Sequence, residues 1–152
     1  MKDVSFLQKF CLLLITCACF SNCKKNNSRQ NIILYNKPLP FIQSHIQGKW
    51  ELLYGKGGTA ANTVQYFNNF FWEFTKNNKI TEYDNLTKIL DTTLNWTYDL
   101  GTFTNADSTF IMKFYDPYGY PNVYVVDRIF NDTLILHDNS SDCVFYHFIK
   151  SN

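Results

Sequence analysis

The sequence predicts an all-β protein: an eight-stranded antiparallel up-and-down barrel preceded by a signal peptide and a linker. Apolar side chains recur at every second position from residue 46 onward, which is the spacing of half-buried strands. The segments between these runs are short and rich in Asn, Asp, Gly and Pro, as in hairpin connections. The chain of 152 residues contains 14 Phe, 10 Tyr and 3 Trp, enough large rings to build the core of a small domain.

Residues 1–22 have the layout of an export signal. Lys2 and Lys9 supply positive charge before the apolar run FCLLLITCACF at 10–20. Eleven helical residues span roughly 16 Å, about half of a hydrocarbon core of about 30 Å, so the run is too short for a spanning helix. The apolar segment of a signal peptide is the better match.

Cys23 stands at the boundary of this run, in the stretch FSNCKK. The stretch resembles the lipobox of bacterial lipoproteins, and the lysines that follow directly resemble those of Bacteroidetes lipoproteins. Phe20 and Asn22 depart from the usual pattern. The resemblance implies that Cys23 receives diacylglycerol, becomes the mature N-terminus and anchors the protein to the outer membrane, on its periplasmic or surface face. Cys17 and Cys19 are competing candidates, but both lie inside the apolar run.

Two other roles for the cysteines fit less well. A zinc site needs ligands spaced on a folded scaffold, and a disulfide framework needs partners downstream. Downstream of Cys23 there is only Cys143, which we expect to be a buried, unreactive thiol. We therefore predict no metal site and no cofactor.

Residues 23–45 are predicted to be the lipidated cysteine and a flexible linker, and 46–152 the folded domain. Pro38 and Pro40 favour an extended path, and residues 32–35 are a candidate edge strand. Four basic residues and no acidic one lie between 24 and 37, whereas the domain has eight basic and twelve acidic residues. A basic tether on an acidic domain suits an anionic surface, although the same charges also keep a linker solvated. The net charge of +1 argues against nucleic acid as a partner.

Alternation also assigns the inward faces of the strands. Runs with period two begin near residues 50, 70, 94, 110, 123, 133 and 143. The side chains that these runs place inward are Trp50, Leu52, Tyr54, Phe70, Trp72, Phe74, Trp96, Tyr98, Phe110, Met112, Phe114, Tyr124, Val126, Leu134 and Leu136. His137 and His147 have the opposite parity, so we expect them on the exposed surface.

The connections favour sequential hairpins. KNNK at 76–79 and NDT at 131–133 are predicted tight turns, and 104–108, 116–122 and 138–142 are longer loops. GKGGTAAN at 55–62 lacks the spacing of a phosphate-binding loop and is predicted to be a flexible loop. With no helical crossover, the strands form a meander, and closure into a barrel removes its exposed edges. A two-sheet sandwich of the same strands is the alternative.

The domain resembles the lipocalins and other calycins. Gly48-Lys49-Trp50 looks like their Gly-x-Trp signature, and DTLILHDNSSDCVFYHFIK is similar to the last hairpin of lipocalin-like lipoproteins from Bacteroidetes. The resemblance implies that Trp50 plugs one end of the barrel and packs against a basic side chain from the final strand, here Lys150. The Thr-Asp-Tyr and late arginine signatures of the family are absent.

The aromatic interior is the predicted binding site, since an eight-stranded barrel is either filled by its own side chains or holds one small ligand. Arg128, if it points inward, is a buried cation that pairs with a carboxylate or with an anionic group of a ligand. The candidate ligand-binding residues are Tyr54, Trp72, Trp96, Tyr98, Phe110, Phe114, Tyr124 and Arg128.

No catalytic constellation is present in the sequence, and Glu occurs at only three positions, so we predict no enzyme. We expect a membrane-anchored lipoprotein that binds a small hydrophobic or amphipathic ligand non-covalently. The alternative is an interaction module: a filled barrel that contacts a protein or glycan through Tyr115, Tyr118 and Tyr120. A cavity favours the first, and a packed interior with exposed tyrosines favours the second.

Overall fold

A computed structural model describes residues 30–58, 63–101, 107–140 and 142–151. These residues form an all-β structure with one short helix, which confirms the predicted class. The expected signal peptide, Cys23 and residues 24–29 lie outside the described residues. The strands are β1 (Asn31–Ile33), β2 (Gly48–Gly57), β3 (Val64–Tyr66), β4 (Phe70–Phe74), β5 (Lys79–Asp84), β6 (Thr87–Thr93), β7 (Asn95–Leu100), β8 (Ser108–Tyr115), β9 (Pro121–Phe130), β10 (Thr133–Asp138) and β11 (Val144–Lys150), and the helix is α1 (Leu39–Ile46).

The strands form one antiparallel sheet in the order β6-β5-β4-β2-β11-β10-β9-β8-β7, with β1 paired to β9 and β3 to β2. The described residues therefore contain eleven strands rather than the eight expected. The additional strands are short or lack a clean alternation of apolar side chains. In β6 the sequence TKILDTT offers only two apolar residues, Ile89 and Leu90, and they are adjacent.

The sheet is curled into a half-barrel. β4 and β8 are far apart in the strand order, yet the ring centroid of Trp72 in β4 lies 5.6 Å from that of Phe114 in β8. Trp72 also lies 5.2 Å from Tyr124 in β9, measured between centroids. Such contacts across the concave face are possible only if the two halves of the sheet face each other.

The concave face carries the hydrophobic core. Most of the inward side chains of the strands are buried, as expected from period two. Fully or almost fully buried members of the core include Trp50, Leu52, Trp72, Phe74, Ile80, Met112, Phe114, Val126, Leu134, Leu136 and Phe148.

The segment before residue 46 is part of the fold, which corrects the boundary expected between linker and domain. β1 pairs with β9, as the candidate edge strand predicts, and Leu34 is fully buried. α1 follows, and its Ile42 side chain is also fully buried. Pro38 and Pro40 do not hold this segment extended, because they lie at the N-cap and in the first turn of α1, where the missing N–H groups cost nothing.

Two β-bulges interrupt the alternation. In the pairing of β2 with β11, Leu52 is opposite Phe148 and Tyr54 is opposite His147, so Leu53 is an extra residue on β2. In the pairing of β9 with β10, the extra residue is Asp127. Each bulge moves all later side chains of its strand to the opposite face.

The predicted tight turns are confirmed, and the glycine-rich loop is shorter than expected. Asn78 in the β4–β5 turn and Asn131 and Asp132 in the β9–β10 turn all have positive φ. Residues 55–57 belong to β2 and pair with β11, whereas 59–62 lie outside the described residues. A side chain at Gly57 would overlap the Cys143 carbonyl oxygen. Within the described ranges, no helix has the length and hydrophobicity needed to cross a membrane.

Candidate functional site

Trp50 and Lys150 meet beneath α1. The Nζ atom of Lys150 lies 4.8 Å from the Trp50 ring centroid, so the contact that the lipocalin resemblance implies is present. Lys150 Nζ donates to the Gln47 carbonyl oxygen at 2.8 Å, and Trp50 Nε1 donates to the Ile46 carbonyl oxygen at 2.6 Å. Both polar groups therefore cap carbonyl groups at the C-terminus of α1.

Gly48 is required at this end for two reasons. Its φ of +107° is in a region that other residues rarely adopt, and a Cβ atom there would lie 3.2 Å from Lys150 Cε. Because its polar groups bind one another, we interpret the end that contains Gly48, Trp50 and Lys150 as a structural closure.

The interior beyond this closure is built around Trp72. Its ring centroid is 5.0 Å from that of Phe148, in addition to the contacts with Phe114 and Tyr124. Tyr124 in turn lies 5.6 Å from Tyr146, edge to face. The rings thus form a continuous path from the core to the opposite end of the curled sheet.

Glu82 faces this aromatic interior. It is two residues after the fully buried Ile80 on β5, and its cross-strand partners Trp72 and Leu90 both belong to the core. We call the group formed by Trp72, Glu82, Tyr124 and Tyr146 the inner cup.

The pKa of the Glu82 carboxyl is raised to about 7. Burial is the main cause, the Asp116 carboxylate raises it further, and the Trp72 indole N–H lowers it in part. The indole is close enough to favour the charged carboxylate but outside hydrogen-bonding geometry, because Trp72 Nε1 is buried and makes no hydrogen bond. Burial also raises the pKa values of Tyr124 and Tyr146, so both hydroxyls stay protonated at neutral pH.

A cavity of about 360 Å³ lies next to the inner cup. Tyr124 and Tyr146 line it together with the first residues of β9, the last residue of β10 and the β10–β11 connection. Its lining residues are Pro121, Asn122, Val123, Tyr124, Asp138, Asn139, Ser140 and Tyr146. Because Tyr124 lines the cavity and also contacts Trp72, it connects the open space with the inner cup.

The structure brings together three of the predicted ligand-binding residues, Trp72, Phe114 and Tyr124. Trp96 and Phe110 are partly buried and pack on the core from β7 and β8, and the Trp96 indole donates to Asn78 at 2.7 Å. Tyr98 contacts Phe110 with 5.0 Å between centroids, but its side chain is 64% exposed at the β7 edge.

Tyr54 and Arg128 do not face the interior, which corrects their predicted placement. Tyr54 follows the bulge at Leu53, and its ring stacks on His147 with 4.3 Å between centroids. Arg128 follows the bulge at Asp127 and is exposed, with Nε 2.7 Å from the Asp127 carboxylate.

His137 is not on the exposed surface as predicted, since it is 1% exposed. Its parity is outward as expected, and its ring lies 5.4 Å from that of Phe145, measured between centroids. His147 is half-buried, and both burial and Lys56 lower its pKa. Burial and Asp138 raise the pKa of Cys143 to about 12, which is consistent with the expected unreactive thiol.

A second feature is the exposed loop between β8 and β9. Asp116 Oδ1 accepts hydrogen bonds from the backbone N–H groups of Tyr118 at 2.9 Å and Tyr120 at 2.8 Å. These bonds order the loop and present the two tyrosines to solvent, 86% and 69% exposed respectively.

The sequence analysis missed Glu82 and Tyr146. The signal for Glu82 was available, because KITEYD places it at the same parity as Ile80, but a charged residue was not expected on an inward face. Tyr146 lies two residues before the buried Phe148, so the alternation in β11 places it on the same inward face.

Comparison of the chain with models of protein families, with curated proteins and with solved structures finds no match. Among the residues that the structure describes, no group of three or more His, Cys, Asp or Glu side chains could hold a metal ion.

Proposed function

We propose that this protein is a membrane-anchored lipoprotein whose sheet closes into a lipocalin-like barrel and binds a small amphipathic molecule non-covalently, without catalysis. The observation that carries the proposal is the cavity of about 360 Å³ beside the inner cup. Binding sites for small molecules are concave and mostly apolar, with a few convergent polar groups. The rings of the inner cup supply the apolar surface, and Asn122, Asp138 and Ser140 of the cavity supply the polar groups.

The architecture supports the barrel. Across the sheet, nine strands are paired side by side without a break, with β6 at one edge and β7 at the other. Core contacts across the concave face join the two halves of this sheet. Gly48, Trp50 and Lys150 close one end, as the resemblance to lipocalins implies. The ligand therefore enters from the opposite end, at Tyr124 and Tyr146.

The test of ligand binding is native mass spectrometry of the protein purified from its own cells. We expect a co-purifying small molecule that is lost when Tyr124 is replaced by Ala and retained when the exposed Tyr118 is replaced by Ala. If the protein carries no molecule, and titration with amphipathic compounds gives no binding, the proposal fails.

The anchor is tested at Cys23. Cys23→Ala is expected to abolish incorporation of a radiolabelled fatty acid and to release the protein from membranes, because this thiol is the proposed acylation site. Cys17→Ala serves as the matched control and should leave labelling unchanged. Unchanged labelling of Cys23→Ala would exclude it as the lipidated residue.

A second candidate function rests on the β8–β9 loop. The ordered and exposed Tyr118 and Tyr120 are suited to contact a partner protein or a glycan. Under this alternative, substitution of these tyrosines abolishes partner binding, and substitutions in the inner cup leave it unchanged.

A further inference from the structure

The inner cup contains a buried N–H group without a hydrogen bond and, beside it, a carboxyl without a counter-ion. Trp72 is 4% exposed, and its Nε1 atom makes no hydrogen bond. Within the described ranges the Glu82 carboxyl beside it has no ion-pair partner, and the Trp72 indole is the neighbour that lowers its pKa. Buried polar groups are almost always paired, so an indole N–H out of hydrogen-bonding geometry next to a carboxyl without a counter-ion points to a missing cation.

The charged side chains that act on the residues of the cup are carboxylates. Asp116, at the start of the β8–β9 loop, acts on Glu82, and Asp138 on β10 acts on Tyr124 together with Glu82. Among the residues that line the cavity, the charged one is Asp138, and none is basic. This potential attracts cations and repels anions.

The rings around the carboxyl add a second attraction for a cation. The ring centroid of Tyr124 lies 5.2 Å from that of Trp72 and 5.6 Å from that of Tyr146. Aromatic rings bind organic ammonium groups through their negative faces, most strongly where water is excluded. An apolar substituent on the cation would pack on the same rings.

The two closed-end cavities lack this combination. The cavity of about 280 Å³ beside Trp50 and Lys150 contains polar groups that already cap α1. The cavity of about 150 Å³ between α1 and the β4–β5 turn contains Asn78 and Trp96, which bind each other.

We propose that the ligand of the inner cup is a small apolar amine in its protonated form, with its ammonium group held by the Glu82 carboxylate and the rings of Trp72 and Tyr124. This inference rests on the proposed function, because it names the ligand class of the same site. When the cation holds Glu82 in its ionised form, the neighbouring indole N–H of Trp72 gains a charged acceptor. The bound amine thus gives the Glu82 carboxyl its counter-ion.

Binding is expected to depend on pH. Because the Glu82 pKa is about 7 in the empty site, the carboxyl is neutral below that pH and offers no charge to the ammonium. The other titratable groups that face the cup are Asp116, Asp138, Tyr124 and Tyr146, and both tyrosines stay neutral. Amine affinity is therefore expected to fall as pH falls below 7.

The experiment uses the full chain and three probes of matched shape: phenethylamine, 2-phenylethanol and 3-phenylpropionate. Affinities are measured by tryptophan fluorescence at pH 8 and pH 5.5. At pH 8 we expect phenethylamine to bind at least about tenfold more tightly than either other probe. At pH 5.5 we expect its affinity to be about 30-fold weaker, since Glu82 must lose a proton for each cation bound.

Glu82→Gln should remove the preference for phenethylamine and its pH dependence, and should leave the binding of 2-phenylethanol unchanged. Glu51→Gln, on β2 with the opposite parity to Trp50, is the matched control and should behave like the parent protein. The probe series and its pH dependence in the parent protein test the proposal even if Glu82→Gln does not fold.

The outcomes separate the two proposals. If 2-phenylethanol or 3-phenylpropionate binds as tightly as phenethylamine at pH 8, the amine is excluded and the proposed function stands. If phenethylamine binds equally well at both pH values, Glu82 is not its partner and this inference fails. If none of the three probes binds, both the amine and the ligand-binding function fail.

Discussion

The carboxyl of Glu82 makes the stability of the fold depend on pH. Burial raises its pKa from 4.5 to about 7, so the folded protein binds this proton more tightly than the unfolded chain does. The stabilisation of the folded state by this bound proton is fully present below pH 4.5. It is lost as the pH rises through the folded-state pKa of about 7. The inner cup is therefore stabilised by acid when no ligand is present.

Glu82→Gln is expected to remove this pH dependence, because the amide is neutral at every pH. At pH 8 the variant should be more stable than the parent protein by up to about 3 kcal/mol, and at pH 4.5 the two should differ little. Urea denaturation at the two pH values measures the difference. A variant less stable than the parent at pH 8 would show that Glu82 has a partner that stabilises its charge.

Trp50 is the largest side chain in the closed end. Trp50→Ala removes a ring that is 2% exposed, its hydrogen bond to Ile46 and its contact with Lys150. We expect the free energy of unfolding to fall by about 3–5 kcal/mol, as for other buried aromatic residues. Tyr118→Ala, at an exposed ring, should change it by less than about 0.5 kcal/mol. If urea denaturation shows that Trp50→Ala lowers the free energy of unfolding by only a few tenths of a kcal/mol, the assignment of Trp50 to the closure is wrong.

At the scale of elements, Asn78 joins parts of the fold that are distant in sequence. Its side chain donates to the Leu94 carbonyl oxygen, accepts from the Trp96 indole at 2.7 Å and accepts from Gln43 of α1 at 3.2 Å. The backbone N–H of Leu94 donates to the Asn78 carbonyl oxygen at 2.8 Å. One turn residue thus links α1, the β4–β5 hairpin and the β6–β7 corner.

Asn78→Gly isolates these side-chain bonds, because glycine accepts the positive φ of this position. Three partly buried hydrogen bonds are lost, so we expect a destabilisation of about 2–3 kcal/mol in thermal or urea unfolding. Asn85→Gly is the matched control: Asn85 also has positive φ, but its side-chain bonds are exposed. Equal effects of the two substitutions would mean that the Asn78 bonds contribute no net stability.

The strands also show where reasoning from alternation ends. Period two correctly placed Trp50, Leu52, Tyr124 and Val126 on the inner face. It failed two residues later in each strand, at Tyr54 and at Arg128, because each bulge adds one residue on one strand only. Since a bulge is defined by the partner strand, nothing in the β2 or β9 sequence alone reveals it.

At the scale of the whole molecule, the N-terminal segment is part of the domain. Leu34 and Ile42 are fully buried, and β1 extends the pairing of β9. Removal of this segment would expose the core beneath it and leave the Trp50 end without α1. The anchor proposed at Cys23 is then attached to the folded domain through a short tether.

A chain that begins at Gln47 is therefore expected to be markedly less stable than one that begins at Lys24, because burial of each large aliphatic side chain contributes about 1.5–3 kcal/mol. Circular dichroism during thermal unfolding compares the two. The structure would be contradicted if the shorter chain unfolded at the same temperature as the longer one.

The sequence alone determined the all-β class and the tight turns, because these depend on local spacing. The contact between Trp50 and Lys150 was expected from a resemblance and not from the residues themselves. The strand count, the docking of β1 and α1, the bulges and the inner cup depended on the tertiary structure. Glu82 shows the reason: its spacing reveals its face, but its pKa depends on Trp72, Tyr124 and Asp116, which only the curl of the sheet brings near it. Contacts across a concave face join residues far apart in sequence, and no local pattern encodes them.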